Sequence, residues 1–377
     1  MHKMTSYPLG NADCSLVNLA NGKRLLFDYA NLRDEKDDKD LRADLVAELM
    51  LDFEEKKDKI FDVVALTHAD DDHIHGATDF FYLDHAEKYQ DNNRVKIKEL
   101  WVPAAFVTEA GLTGEASILR AEARHRLKKG YGIRVFARPD SLKGWLEENG
   151  LSVDARKNLI VDAGQIVPGF SVEEDELEIF AHSPFAIRGE VKFEDRNTNS
   201  LVVQLTFVVK KQDTRAIMGS DVEYAEWSKI VGITRKHKNE ARLCWDIFKI
   251  SHHCSYDALA EEKGKDKTEP IGEVAWLFEQ GRKKAILVST SKPIPTNDDD
   301  EQPPHRQAAN YYNEVASNLD GTFKVTMEHL KQSNPEPLVI LIGEDGAKVE
   351  KKLASVAAVL GGQSSPRAGA VYDKRLH

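Results

Sequence analysis

The sequence predicts an α/β protein with sheets inside and helices outside. Apolar runs of strand length recur in both halves of the chain, helix-like segments alternate with them, and one run ends directly in the densest polar cluster of the sequence. A chain of 377 residues with 41% hydrophobic residues has the material for one large domain or two of moderate size, each with a substantial core.

Taken in order, Ser15-Leu16-Val17-Asn18-Leu19 and Arg24-Leu25-Leu26-Phe27 read as strands joined by the hairpin turn Asn21-Gly22. Residues 40–57 read as a helix, with Leu41, Leu45, Leu49 and Phe53 recurring every four positions. Residues 60–67 form a mostly apolar run that fits a strand buried on both faces, and it runs straight into His68–His75. Strands are expected at 100–102 and 134–136 around a basic helix at 115–129. Further strands follow at 159–161, 177–180, 200–209, 216–218, 247–250, 285–288 and 338–341, with helices at 224–245 and 306–318. A charged turn is read at 344–346. From 359 to 377 the composition turns to Gly, Ala and Ser and predicts a flexible tail, so the organised region is 1–358.

Composition excludes several classes. No stretch approaches the ~18 apolar residues of a membrane helix, and the opening MHKMTSYPLGNADCS lacks the apolar core of a secretory signal. Three cysteines, Cys14, Cys244 and Cys254, do not make a disulfide scaffold. The expectation is a soluble cytoplasmic protein. The net charge of −11 speaks against a non-specific nucleic-acid coat protein but allows an enzyme with a locally basic groove. One such segment exists: residues 120–138 hold seven Lys/Arg and one acid, Glu122. A solvated helix face explains this run, and Arg120, Arg124, Lys128 and Lys129 are also candidate phosphate contacts.

The polar cluster carries the chemistry. His68-Ala69-Asp70-Asp71-Asp72-His73-Ile74-His75-Gly76 packs three histidines and three aspartates into eight positions. Imidazole and carboxylate are the ligands of zinc, and carboxylate also suits manganese and magnesium. A turn after a strand can aim positions i, i+2, i+4 and i+5 into one cavity, which a merely solvated loop has no reason to arrange.

The pattern H-x-D-x-D-H-x-x-G resembles the H-x-H-x-D-H signature of the metallo-β-lactamase fold with Asp70 in place of the second histidine. That variant is similar to the soluble domain of ComEC-type DNA-uptake competence proteins. Other segments resemble the same branch in order: Gly10–Ser15, Leu26-Phe27-Asp28, Arg196–Val202, Gly219-Ser220-Asp221, Ile250–Ser255 and Pro304-His305. Cys254 and His75 stand where that branch carries glycines, and Asn197 or Asn199 stands near the third histidine motif of the hydrolytic β-lactamases.

The resemblance implies a four-layer αββα sandwich with a helical, basic insertion around 77–157. It also implies a site for two divalent ions, zinc or manganese, with magnesium accommodated. His68, Asp70 and one of His252 and His253 would hold one ion, and Asp72 and His73 the other, with Asp221 bridging. Asp28 and Asn199 would support these ligands from behind. Asp72 would orient the attacking water, and His305 or His252 would protonate the leaving oxygen. Read alone, Asp28 is a turn cap, Asp221 gains weight only from the ordered set, His182 is a packing residue, Cys254 is a small buried residue, and Lys249 and Arg215 are solvated.

The implied activity is metal-dependent hydrolysis of a phosphodiester, with nucleic acid as substrate. Other readings are a hydrolase of a small cyclic nucleotide, phosphoester, thioester or lactone, and a metal-binding regulatory subunit without catalysis. The relatives are joined to a membrane channel, so a separate protein partner from the same operon is a further expectation. Oligomeric state is not legible.

Overall fold

Alternation within single strands sets the architecture. In β4 (Ile60–Ala65), Val63 and Ala65 face one core while Val64 between them faces another, as a period-two pleat buried on both sides requires. The same division runs through both sheets of the computed structural model, which describes residues 1–54, 58–186 and 196–351.

The first sheet has nine strands, named here in chain order: β1 (His2–Ser6), β2 (Ser15–Asn18), β3 (Arg24–Phe27), β4, β5 (Lys96–Pro103), β6 (Ile133–Phe136) and β7 (Ile160–Val161). β8 (Leu177–Ser183), β9 (Val202–Val209), β10 (Gln212–Met218), β11 (Trp245–Lys249), β12 (Gly281–Ser289) and β13 (Thr322–Val325) form the second. β14 (Leu338–Gly343) and β15 (Gly346–Val349) return to the first. The spatial orders are β15-β14-β1-β2-β3-β4-β5-β6-β7 and β13-β12-β11-β10-β9-β8. β3 to β7 are parallel, as are β10 to β13, and the remaining pairs are antiparallel.

Three buried clusters define four layers. Between the sheets lie Met4, Leu25, Val63 and Trp101 from one side and Ile179, Leu205, Met218 and Ile247 from the other. Outside the first sheet, Leu26, Val64, Leu100 and Val135 meet Leu45, Leu49, Leu119, Leu127 and Leu146 of the helices Leu45–Leu51, Gly114–Lys129 and Asp140–Glu148. Outside the second, Ile217, Phe248 and Leu287 meet Trp227, Phe278 and Tyr312 of Tyr224–Lys236, Gly272–Glu279 and Arg306–Asn318. The fold is the αββα sandwich that the resemblance implies.

Several expectations change. The stretch 77–157 is not a helical insertion: β5 and β6 lie inside it and are interior strands of the nine-stranded sheet, with Gly114–Lys129 connecting them. The first helix is shorter than 40–57, because the Asp44 carboxylate accepts from Ala47 N and starts it there. The helix expected to reach 245 stops at Lys236, and Lys238 follows with φ +58°. The tail at 359–377 lies outside the described residues.

The topology places the site. β3, β4, β10, β11 and β12 all end on one rim of the sandwich, where Asp28, His68–His73, Asp221, His252–His253 and Thr290 follow them. Ligand sites of open α/β sheets gather at such carboxyl ends. Gly219 lets two of these ends approach: a Cβ there would lie 2.6 Å from Lys249 O and 2.7 Å from Ser251 Oγ. Gly219→Ala is expected to lower the free energy of denaturant unfolding by about 1–3 kcal/mol, the usual cost of overpacking.

Candidate metal centre

His73 begins the site because its ring is held from two directions. The helical turn Asp71–Ile74 carries it inward, and Tyr29 N donates to His73 O at 2.9 Å. Its Nδ1 lies 2.9 Å from Asp28 Oδ2, while Asp28 Oδ1 accepts from Thr67 N at 2.7 Å and Asp28 Oδ2 also accepts from Thr67 Oγ1 at 2.8 Å. Asp28 therefore accepts from Nδ1–H and turns Nε2 toward Asp221 Oδ2, 3.2 Å away. It orients the His73 ring rather than merely capping a turn.

His253 is held in the same manner. Its Nδ1 donates to Thr290 O at 2.7 Å, and its Nε2 lies 3.1 Å from Asp72 Oδ2 and 3.4 Å from Asp221 Oδ2. Asp72, His73, Asp221 and His253 thus bring one ligand atom each within 4.8 Å of one another. His253 and not His252 joins this group. His252 Nδ1 is buried without a hydrogen-bond partner, and its ring lies 6.4 Å from that of His253. His252, His253 and Cys254 all have positive φ, at +51°, +49° and +67°. The left-handed region at Cys254 is where a glycine is ordinarily preferred, which accounts for the glycine of the resembled motif. Cys254 itself is fully buried, and burial pushes its thiol well up, out of reach of reactivity.

The donor set fits a divalent ion. Two imidazole nitrogens, once deprotonated, and two carboxylates suit zinc or manganese, and atoms such as Asp221 Oδ1 are buried with no hydrogen bond. Such atoms are costly to leave unmatched, and a cation matches them. The charges respond accordingly. Burial alone would depress the His253 imidazole, but Asp221 and the hydrogen bond to Asp72 outweigh it and hold it at about 9. Burial would raise the Asp72 carboxyl, but the His253 hydrogen bond and the His73 charge bring it down to about 2. His73 is likewise raised against burial, by Asp221 and Asp28. The site is rich in anions and demands positive charge.

His68 and Asp70 lie beside this group. His68 Nε2 is 3.6 Å from Asp70 Oδ2, and the His68 ring centroid is 3.9 Å from that of His73. Asp70 Oδ1 is bound by Arg196 Nη1. Asn199 Nδ2 donates to Thr198 Oγ1 at 3.2 Å, and Asn199 lines a small cavity with His68, Phe106, Glu109 and Arg196.

His305 is placed differently from the expectation. Tyr256 N donates to its Nδ1 at 3.3 Å and its Nε2 donates to Glu301 O at 3.1 Å, so both nitrogens are engaged by the backbone. Lys249 is not solvated but 5% exposed, with Nζ 2.5 Å from Asp13 Oδ2. Burial would lower the Lys249 ammonium, and Asp13 and Asp221 keep it charged. Asp13 was legible only as part of a motif, and Lys249 gave no signal beyond its place two residues before Ser251. Arg215 is half-buried, paired with Asp213 and bonded to Ala241 O.

The basic segment loses much of its free charge. Arg126 and Arg134 are buried in pairs with Glu122 and Glu99. Arg120 Nη1 donates to Glu109 O at 2.6 Å and Arg124 Nε to Val107 O at 2.8 Å. Lys128 and Lys129 remain exposed, Lys128 near the Trp145 ring.

No family model and no curated protein matches the chain. Solved structures similar to it include unliganded yeast PDE1, at 11% identity and a TM-score of 0.43 over 88% of this chain and 98% of that one. Zn(2+)-bound PqqB from Methylobacterium extorquens is similar at 10% identity and a TM-score of 0.36, over 86% of this chain and 98% of that one. A long form RNase Z from yeast is similar at 12% identity and 0.37, over 89% of this chain and 41% of that one. Likenesses this distant say nothing of activity. No helix among the described residues is long and apolar enough to cross a membrane.

Two predictions follow from these contacts. Asp28→Asn, which keeps the shape but weakens the hold on His73 Nδ1, is expected to reduce divalent-ion affinity about 10–100-fold in calorimetric titration. His182 is fully buried with Nε2 unpartnered, and burial drops its imidazole from 6.5 to about 3. The unfolded chain therefore takes up a proton below pH 6.5 that the folded one refuses until about 3, so stability falls as pH drops through that window. Denaturant unfolding at pH 7, 5.5 and 4.5 is expected to show a flatter decline in His182→Asn than in the wild type.

Proposed function

We propose that the chain is a metal-dependent hydrolase of phosphodiesters, with nucleic acid as substrate. The observation that carries this reading is the group Asp72, His73, Asp221 and His253, whose two imidazoles are each fixed through Nδ1 so that Nε2 faces the carboxylates. These four residues would hold one ion, and His68 with Asp70 would contribute to a second, with Asp221 between them. Zinc or manganese bound there would supply Lewis acidity and acidify water near neutral pH. Asp72, at the solvent-facing side of the group, would orient that water. His252, with a buried nitrogen free of hydrogen bonds, is the better-placed proton donor to the leaving oxygen now that His305 is committed to the backbone.

For a long substrate, Lys128 and Lys129 are the exposed cations of the basic helix that could follow a phosphate backbone. A small phosphodiester is the second reading, favoured because Arg120 and Arg124 spend donors on backbone carbonyls and Arg126 and Arg134 are buried.

The test is cleavage of labelled single- and double-stranded DNA and RNA, and of bis(p-nitrophenyl) phosphate, with Mn²⁺, Mg²⁺, Zn²⁺ or EDTA. Cutting is expected to need the ion, to stop in EDTA and to fall to background in Asp72→Ala. Cleavage of the small ester alone would select the second reading. A folded, metal-loaded protein that cuts none of these would overturn both.

A further inference from the structure

Asp70 stands out among the aspartates of the cluster because its partner comes from a distant segment. Arg196 reaches it from just before the 3₁₀ turn Asn197–Asn199, with Nη1 on Asp70 Oδ1. The same guanidinium is anchored at its other side, with Nε 2.8 Å from Glu109 Oε1. Exposure separates the two contacts. The Arg196 and Asp70 side chains are 38% and 35% exposed, whereas Glu109 is 10% exposed. The anchor is shielded, and the contact with Asp70 is open to ions and ligands.

The far oxygen of Asp70 faces His68 Nε2 at 3.6 Å, so a divalent ion held by His68 and Asp70 meets a carboxylate that Arg196 already neutralises. Two cations then compete for one carboxylate charge. An arginine released from Asp70 but still held through Nε keeps its position beside His68, at the cavity that both residues line. A guanidinium fixed by Nε presents its terminal nitrogens as a fork, the geometry that binds phosphate oxygens in pairs.

We propose that Arg196 balances Asp70 in the absence of an ion and, once an ion takes Asp70, turns its freed guanidinium edge onto an anionic oxygen of the substrate phosphate. Arg196 is thereby a phosphate-binding group whose availability is set by metal loading. The inference rests on the phosphodiesterase reading for its ligand, and on the contacts of Arg196 alone for the exchange at Asp70.

The experiment uses the full chain stripped of metal, as wild type, Arg196→Ala and Arg196→Gln, the glutamine preserving hydrogen bonding if the alanine variant does not fold. Mn²⁺ is titrated calorimetrically into each, and inorganic phosphate is then titrated into each Mn²⁺-loaded protein. Removing the competing guanidinium is expected to tighten Mn²⁺ binding about two- to fivefold, the range a half-exposed ion pair supports. It is expected to weaken phosphate binding to the loaded protein about tenfold, through loss of charge-assisted hydrogen bonds. A strap that only ties residue 70 to residue 109 would loosen both, or neither. Unchanged or weaker Mn²⁺ binding in a folded variant overturns the proposal, as does unchanged phosphate binding. Both shifts together with no cleavage by the wild type would support the exchange at Asp70 while removing the phosphodiesterase reading.

Discussion

The site depends on one carboxylate that performs three tasks. Asp28 closes β3, accepts from both the backbone and the hydroxyl of Thr67 at the end of β4, and accepts from Nδ1–H of His73. Those contacts lock two parallel strand ends and the first helical turn beyond them into one rigid corner. The direction of His73 Nε2, toward Asp221 Oδ2, is set by that corner, while Thr290 O sets the direction of His253 Nε2. A ring free to turn about its Cβ–Cγ bond would bring no such convergence.

Charge balance explains the residue least expected at this rim. Asp13, Asp28 and Asp221 are all buried, and an interior holds charges only when they are matched. His73 and His253 match part of the anionic charge, and Lys249 matches Asp13 from below. Asp13, Asp28 and His73 also lie close enough together to resemble a second cation site. Lys249 Nζ already satisfies one of those acids, and Asp28 is spent on Thr67 and His73. The protein thus supplies its own permanent cation at the rear of the cluster and leaves the demand for a further one at the front.

The sequence made the rim legible because its residues are consecutive or follow apolar runs. His68 to His73 announced themselves by density, while Asp28, Asp221 and the pair His252-His253 gained weight only from the ordered set of resembling motifs. Strand faces were readable where both sides are buried, as in β4 and β9. β1 was not, because three of its five residues are polar yet buried: His2, Thr5 and Ser6. Interior position, which no local pattern encodes, makes it a strand. The ion pairs of Lys249, Asp13 and Arg196 were illegible for a related reason: Lys249 read as solvated, Asp13 and Arg196 stood only as members of motifs, and their partners lie far away in the chain. His305 looked right by spacing, but its ring orientation is set by Tyr256 and Glu301, which sequence order does not weigh.

β1 sits between β14 and β2 in the middle of the larger sheet, so the first strand of the chain pairs on one side with nearly the last. During synthesis that edge has no native neighbour until β14 has been made. Its polar composition is then an asset, because an apolar strand with an open edge invites other chains to add to it. Such distant pairing makes assembly slow, since a large loop must close before any contact repays it. The four clustered residues Asp72, His73, Asp221 and His253 follow β4, β10 and β11 and lie in neither β1 nor β14. The candidate ligand set and the pairing of β1 with β14 therefore draw on different stretches of the chain.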